Sequence, residues 1–314
     1  MIRYVDNEAI DRRKWDECIT GAINPVIYAR SWLLDLTHPG WDALVLDDYQ
    51  AVMPLTWRRK YFVYYLFTPF FIQQLGVVSR IPPDPFIMEE FLAAIPRRYR
   101  FSDINLNYAN DFVPETGSLW WYTNLYVRLN RPYELIRQRY SMNTLRNLRK
   151  ASMAGLEIRE PVDPLWIISL FRENKGREVV APYRKADYER LEAIMHYAME
   201  KGYGFTLGAA LPGKEPCTAA FFLQGCGRIV FLFSGNNPEG LQHSAMFLLI
   251  DHTIKKYSGQ PMLFDFEGSN DPDLARFYRG FGASEERYAT WKMNRLPWFG
   301  KIASDIRRRM KNII

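Results

Sequence analysis

Only three cysteines occur in the 314 residues, Cys18, Cys217 and Cys226, and their spacing fits neither a C-x-x-C pair nor a disulfide framework. That excludes a disulfide-stapled module and a thiolate metal site. His38, His196, His243 and His252 form no short-spaced ligand set, and the pair nine residues apart sits on different faces of one helix. No metal is expected. Long apolar runs are missing too: the longest, Tyr61–Ile72, is 12 residues and contains Thr68 and Pro69, short of the roughly 18 a membrane span needs. Met1–Asp6 has no apolar signal-peptide core. These absences predict a cytoplasmic, reduced protein. Charge of one sign is nearly absent outside the C-terminus: residues 298–314 hold +4 of the net +6, which leaves +2 for the other 297 residues. A DNA-binding or broadly basic protein is excluded on that balance.

What the chain does have is 48% hydrophobic, 24% charged and 15% aromatic residues, the composition of a packed globular protein of about two domains. The pattern predicts strands at 2–5, 43–46, 51–57, 62–67, 71–78, 104–108 and 122–129, with helices at 11–19 and 84–95. Helices at 132–140 and 141–154 follow, Ser141 serving as cap and Gly155 as stop. Beyond them come a strand at 156–160, helices at 164–174 and 186–201, and strands at 204–210, 218–224 and 228–234. A helix at 241–257, a buried strand at 262–266, a helix at 273–281 and a strand at 287–294 complete the order. The class is α/β (α+β mixed). Domains are expected at 1–130 and 131–295.

No G-x-x-x-x-G-K-[ST], G-x-S-x-G or H-E-x-x-H motif occurs, and no Ser or Cys stands in a nucleophile context. Any catalysis is therefore expected to be direct transfer rather than covalent. Two segments carry a signal. In 140–155, Asn143, Arg146, Asn147 and Lys150 share a helix face, an arrangement suited to phosphate or carboxylate, with a solvated face as the alternative. In 262–283, an apolar strand ends in Asp265, Glu267 and Gly268 before a capped helix, and in α/β sheets ligands gather at strand carboxyl ends. Alternation puts Asp265 and Glu267 on one face. The alternative is that Ser269 or Asp273 simply caps the helix.

Together the segments resemble the tandem GNAT-fold acyltransferases, the Fem-type peptidoglycan aminoacyl transferases of bacteria and related N-acetyltransferases. Arg146-Asn147 through Lys150-Ala151 to Gly155 is similar to one family stretch. Phe264-Asp265-Phe266-Glu267-Gly268 with Phe277 and Phe281-Gly282-Ala283 is similar to another. The resemblance covers about 140–294. It implies two GNAT-like domains, each a mixed central sheet flanked by helices, and transfer of an acyl group from acyl-coenzyme A (acetyl-CoA in many relatives) to an amine. The acceptor is expected to be a small molecule or lipid-linked, and no cofactor is covalently bound. Glu267 or Asp265 is the candidate base, and Asn236 or an amide near Ser234 and Gly235 the oxyanion donor. Ser234, Gly235, Asn237, His243 and Ser244 are placed on the coenzyme. Asn143, Arg146, Lys150, Ser269, Asn270 and Tyr278 are placed on the substrate. Gln73 and Gln74 are placed in a groove between domains, with a buried amide pair serving backbone as the alternative. The chain departs from the family twice: Q/R-x-x-G-x-G/A is missing before 241–257, and Tyr278-Arg279 replaces a lysine after Phe277. The second departure disfavours aminoacyl-tRNA as donor. A non-catalytic ligand-binding GNAT-like protein is a further alternative.

The tail 296–314 places Phe299, Ile302, Ile306 and Met310 in one stripe beside Arg307, Arg308, Arg309 and Lys311, a basic amphipathic helix. It docks either on the second domain or, peripherally, on an anionic membrane.

Overall fold

The computed structural model describes residues 1–82, 84–173, 183–268 and 270–296. Two compact units divide the chain, Met1–Tyr122 with the residues from Arg287 onward, and Thr123–Glu286. A single cut near 130 therefore misses that the chain returns to the first unit after Glu286. The tail 297–314 and Ser269 lie outside the described residues.

In chain order the first elements are β1 (Ile2–Val5), α1 (Arg12–Thr20), α2 (Ser31–Thr37), β2 (Asp42–Leu46), β3 (Ala51–Leu55), β4 (Trp57–Lys60), β5 (Val63–Phe67), β6 (Val78–Ser79), α3 (Pro85–Ala93), β7 (Tyr99–Asn105) and β8 (Ser118–Arg128). Then come α4 (Tyr133–Arg137), α5 (Met142–Met153), β9 (Glu157–Arg159), α6 (Pro164–Glu173), α7 (Lys185–Glu200), β10 (Gly204–Ala210), β11 (Thr218–Gly225) and β12 (Arg228–Asn236). The last are α8 (Pro238–Gln242), α9 (Ala245–Tyr257), β13 (Leu263–Asp265), α10 (Pro272–Arg279) and β14 (Ser284–Asn294).

In the first unit β1, β2, β3 and β6 form an antiparallel sheet. A second set joins the β4–β5 hairpin to β7 in parallel and β7 to β14 antiparallel. Asp11 and Asp84 cap α1 and α3 by accepting from the amides of Lys14 and Ile87, and Pro85 takes the first helical position. Leu44, Met53, Phe91, Tyr99, Ile104 and Trp291 fill the core beneath.

The expected strand 71–78 is irregular except at Val78. Its backbone groups are taken by side chains instead: Asn107 donates to Leu75 O and Val77 O, Asn110 accepts from Val77 N, and Asn24 donates to Val77 O. Buried amides thus replace a ladder partner. The same cluster pulls the chain out of extended pairing after Asn105, so β7 ends where the expected strand 104–108 began.

In the second unit the order is β8-β13-β12-β11-β10-β9. β11 reads Thr-Ala-Ala-Phe-Phe-Leu and is buried on both faces, as a strand between two helical layers must be. Leu148 of α5, Leu249 and Ile250 of α9, and Ala275 of α10 share one core with Phe222, Phe231 and Phe264. On the other face Phe171 of α6 meets Phe233, ring centroids 4.7 Å apart. The expected helix 241–257 is two helices, because Ser244 adopts a left-handed backbone, φ 58°. Among the described residues no helix is long and apolar enough to cross a membrane.

Candidate active site

β12 and β13 run parallel over only three residue pairs, Arg228↔Leu263 to Val230↔Asp265. Beyond them the chains part. β12 continues to Asn236 against β11, while Phe266 N turns to donate to Leu125 O at 2.9 Å. The opening is a cavity of about 680 Å³. A bulge shapes its wall: Phe221 pairs with Phe233 and Phe222 with Phe231, which leaves Leu232 as an extra residue. A regular strand presents alternate side chains to one face; with the bulge, Phe231, Leu232 and Phe233 all line the cavity. Met246, Phe247, Phe266, Leu274 and Phe277 complete an apolar wall.

Glu267 lies at this opening. Its backbone is left-handed (φ 60°), as is Gly268 (φ 62°), so the carboxylate leaves the strand and the simple alternation with Asp265 ends. A side chain at 268 would stand 2.3 Å from Thr123 O, which accounts for glycine there. Tyr278 stacks on Phe266 at 4.5 Å, and its phenol is raised by burial and then by the charge of Glu267. Tyr183 is raised by the same two causes. The two phenols and the carboxylate are thus electrostatic neighbours.

Asp265 faces away from the cavity. It is 1% exposed and accepts from Arg228 Nη1 at 2.6 Å and Asn124 Nδ2 at 3.2 Å through one oxygen. Its other oxygen accepts from Glu267 N at 2.9 Å. Arg228 also pairs with Glu286 at 2.6 Å. Burial pushes the Asp265 carboxyl up, Arg228 pulls it down, and Glu286 pushes it up again. Asp265 is therefore an anchor that holds the Glu267 amide.

α5 brings Asn147 and Lys150 to the cavity. Ser244 Oγ donates to Asn147 Oδ1 at 2.8 Å, tying α5 to the start of α9. The two sequence segments also touch directly, Ser141 N donating to Gly280 O at 2.8 Å. Asn143 and Arg146 bond each other on the exposed side of the helix, 2.7 Å apart. Asn236 lines the cavity with its Oδ1 accepting from Thr218 Oγ1. Asn237 caps α8 by accepting from Gly240 N at 2.9 Å, and His243 closes that helix. Gly235 lines the cavity and admits α6, since a Cβ would meet Phe171 N at 2.4 Å.

Of the anticipated residues, the cavity gathers Glu267, Asn236, Ser234, Gly235, Ser244, Lys150 and Tyr278. Asp265, Asn237, His243, Asn143, Arg146 and Asn270 lie outside its lining. The helix that follows is capped by Asp271 rather than Ser269 or Asp273. Gln73 and Gln74 are buried in the first unit, where Gln74 donates to Gln73 Oε1 and accepts from Tyr108 N. Sequence reasoning missed Tyr183 and the Phe231–Phe233 bulge; a bulge leaves no local mark in an apolar strand. Among the described residues no His, Cys, Asp and Glu group is placed to hold a metal.

The architecture is that of the tandem GNAT proteins. Similar solved structures include FemX, at a TM-score of 0.66 and 11% identity over 89% of this chain and 96% of that one. A conserved protein of unknown function from Bacteroides thetaiotaomicron has a TM-score of 0.60 and 11% identity, over 93% and 100%. A tandem GNAT protein from the clavulanic acid biosynthesis pathway has a TM-score of 0.50 and 11% identity, over 95% and 99%. At these identities the likeness is one of fold. No family profile matches the sequence, and no curated protein sequence does.

Proposed function

We propose that this protein is an N-acyltransferase that moves an acyl group from acyl-coenzyme A to an amine. The observation that carries the reading is the parting of β12 and β13 into an aromatic-walled cavity with Glu267 at its opening. The apolar wall suits an acyl chain. The first amides of α9 have no side-chain cap, and together with Lys150 they suit the pyrophosphate of the coenzyme. Glu239, which would repel that anion, is neutralised by Lys214 at 2.6 Å.

In this reading the amine attacks the thioester carbonyl, a C–N bond forms and the C–S bond breaks. Glu267 takes the proton the amine sheds. Asn236, its oxygen already engaged by Thr218, offers its N–H to the oxyanion. Tyr278, kept protonated by burial, gives its proton to the leaving thiolate and regains one from Glu267.

Glu267→Gln is expected to lower turnover by about 10²-fold or more with the unfolding midpoint unchanged. Unchanged turnover with an identified acyl-CoA and amine removes Glu267 as base. Coenzyme A retained by the purified protein supports the donor. Retained tRNA instead identifies a Fem-type aminoacyl donor, and a bound thioester that is never turned over identifies a binding protein.

A further inference from the structure

The β4–β5 hairpin of the first unit carries two aromatic rings at its tip, Tyr61 at 71% exposure and Phe62 at 86%. Three exposed cations precede them, Arg58, Arg59 and Lys60. They lie over rings of the same hairpin: Arg58 over Phe67 at 4.1 Å, Arg59 over Phe62 at 5.2 Å, Lys60 over Tyr61 at 5.6 Å. No acidic residue occurs between Asp48 and Asp84 to neutralise them within this stretch.

The register adds more cations at the same end of the sheet. β5 runs parallel to β7 with Tyr64 opposite Tyr99, and Arg295 N donates to Arg100 O at 2.7 Å. Arg97, Arg100 and Arg295 therefore stand at the tip end. They crowd one another: burial and then the charges of Arg97 and Arg100 lower the Arg295 guanidinium.

The turn itself is costly. Tyr61 (φ 48°) and Phe62 (φ 65°) form a two-residue connection with positive φ at both positions, geometry that favours Asn-Gly. Bulky side chains there are strained, and such strain marks places where a side chain is kept for what it does.

We propose that this hairpin docks on an anionic lipid surface, with Tyr61 and Phe62 entering the interface and Arg58, Arg59 and Lys60 meeting lipid phosphates. An exposed apolar tip beside cations with no acidic residue in their own stretch matches that surface in both polarity and charge. A nucleic acid would match the charge and offer bases to stack on the rings, but a net charge of only +2 over residues 1–297 disfavours it. The inference stands independently of the acyl-transfer reading.

The test is co-sedimentation of the full chain with phosphatidylglycerol–phosphatidylcholine vesicles against phosphatidylcholine alone, at low salt. The wild type is expected to pellet with the former. Tyr61→Asn with Phe62→Gly supplies the residues the turn prefers, so it should keep or raise Tm while weakening vesicle binding about tenfold or more. Arg59→Gln and Lys60→Gln should each weaken it about fivefold. The basic tail is present in every variant, so a difference among them belongs to the hairpin. Wild type that ignores anionic vesicles, or pellets equally with neutral ones, overturns the proposal. So does undiminished binding by the Asn-Gly variant, retention on RNA through these residues without vesicle binding, or a change in self-association as the only effect.

Discussion

At Arg228 one guanidinium serves two carboxylates, the buried Asp265 and the half-buried Glu286, and through Asp265 it holds the backbone from which Glu267 projects. Removing the cation strands both acids. Arg228→Leu is therefore expected to cost about 3–5 kcal/mol, read as a lowered urea midpoint, whereas Glu267→Gln leaves the network intact and the midpoint in place. The cysteines give a second residue-level expectation. Burial pushes the Cys18 thiol up to about 11 and raises Cys217 as well, while Cys226 is partly exposed. An aromatic disulfide reagent at neutral pH should label Cys226 in the folded protein and reach Cys18 and Cys217 only in denaturant. Rapid labelling of Cys18 without denaturant contradicts the packing around α1.

Among the elements, α6 depends on Gly235. Its backbone comes so close to β12 that a Cβ at 235 meets Phe171 N and Leu170 Cβ within 2.7 Å, and backbone cannot swing aside as a side-chain end can. Gly235→Ala should cost about 1–3 kcal/mol by overpacking and should also weaken ligand binding, because Leu170 and Phe171 line the cavity. An alanine variant with wild-type Tm shows that α6 shifts freely. The break between α8 and α9 has a comparable tertiary cause. Read along the chain, 241–257 is one continuous helical pattern. The left-handed Ser244 that interrupts it bonds Asn147, 97 residues earlier in sequence, a partner no local pattern reveals.

For the whole molecule, several phenols are held neutral by full or partial burial. Tyr99, Tyr133, Tyr140 and Tyr278 are all raised, with burial the first cause in each. In the unfolded chain they titrate near 10. Because the folded state binds these protons more tightly, their contribution is complete below that pH and is lost as pH rises through and beyond it. Chemical-denaturation midpoints should hold between neutrality and about pH 9 and fall steeply above about pH 10. A flat profile to pH 11 would show the phenols ionising in place.

How much of this was written in the sequence depends on the range of the interaction responsible. Caps and periods act within a few residues, so Ser141 announced its helix, α1 and α3 lie close to their expected spans, and β10 matches its expected bounds at Gly204–Ala210. The paired segments 140–155 and 262–283 are brought together in the fold, with Lys150, Glu267 and Tyr278 lining one cavity. The placement of the side chains within those segments was set by contacts distant in sequence. Asp265 and Glu267 look equivalent as alternating acids, and only Arg228 and Asn124 bury one while a left-handed backbone turns out the other. Asn147 and Arg146 are neighbours on a helix, yet only the first faces α9. The sequence by itself determined the periodicity and type of most elements, though not of α2 or of the irregular stretch before Val78, because periodicity and type follow from backbone sterics and local hydrogen bonding. The tertiary structure alone decided where β12 and β13 part, because that separation belongs to pairing between strands 35 residues apart.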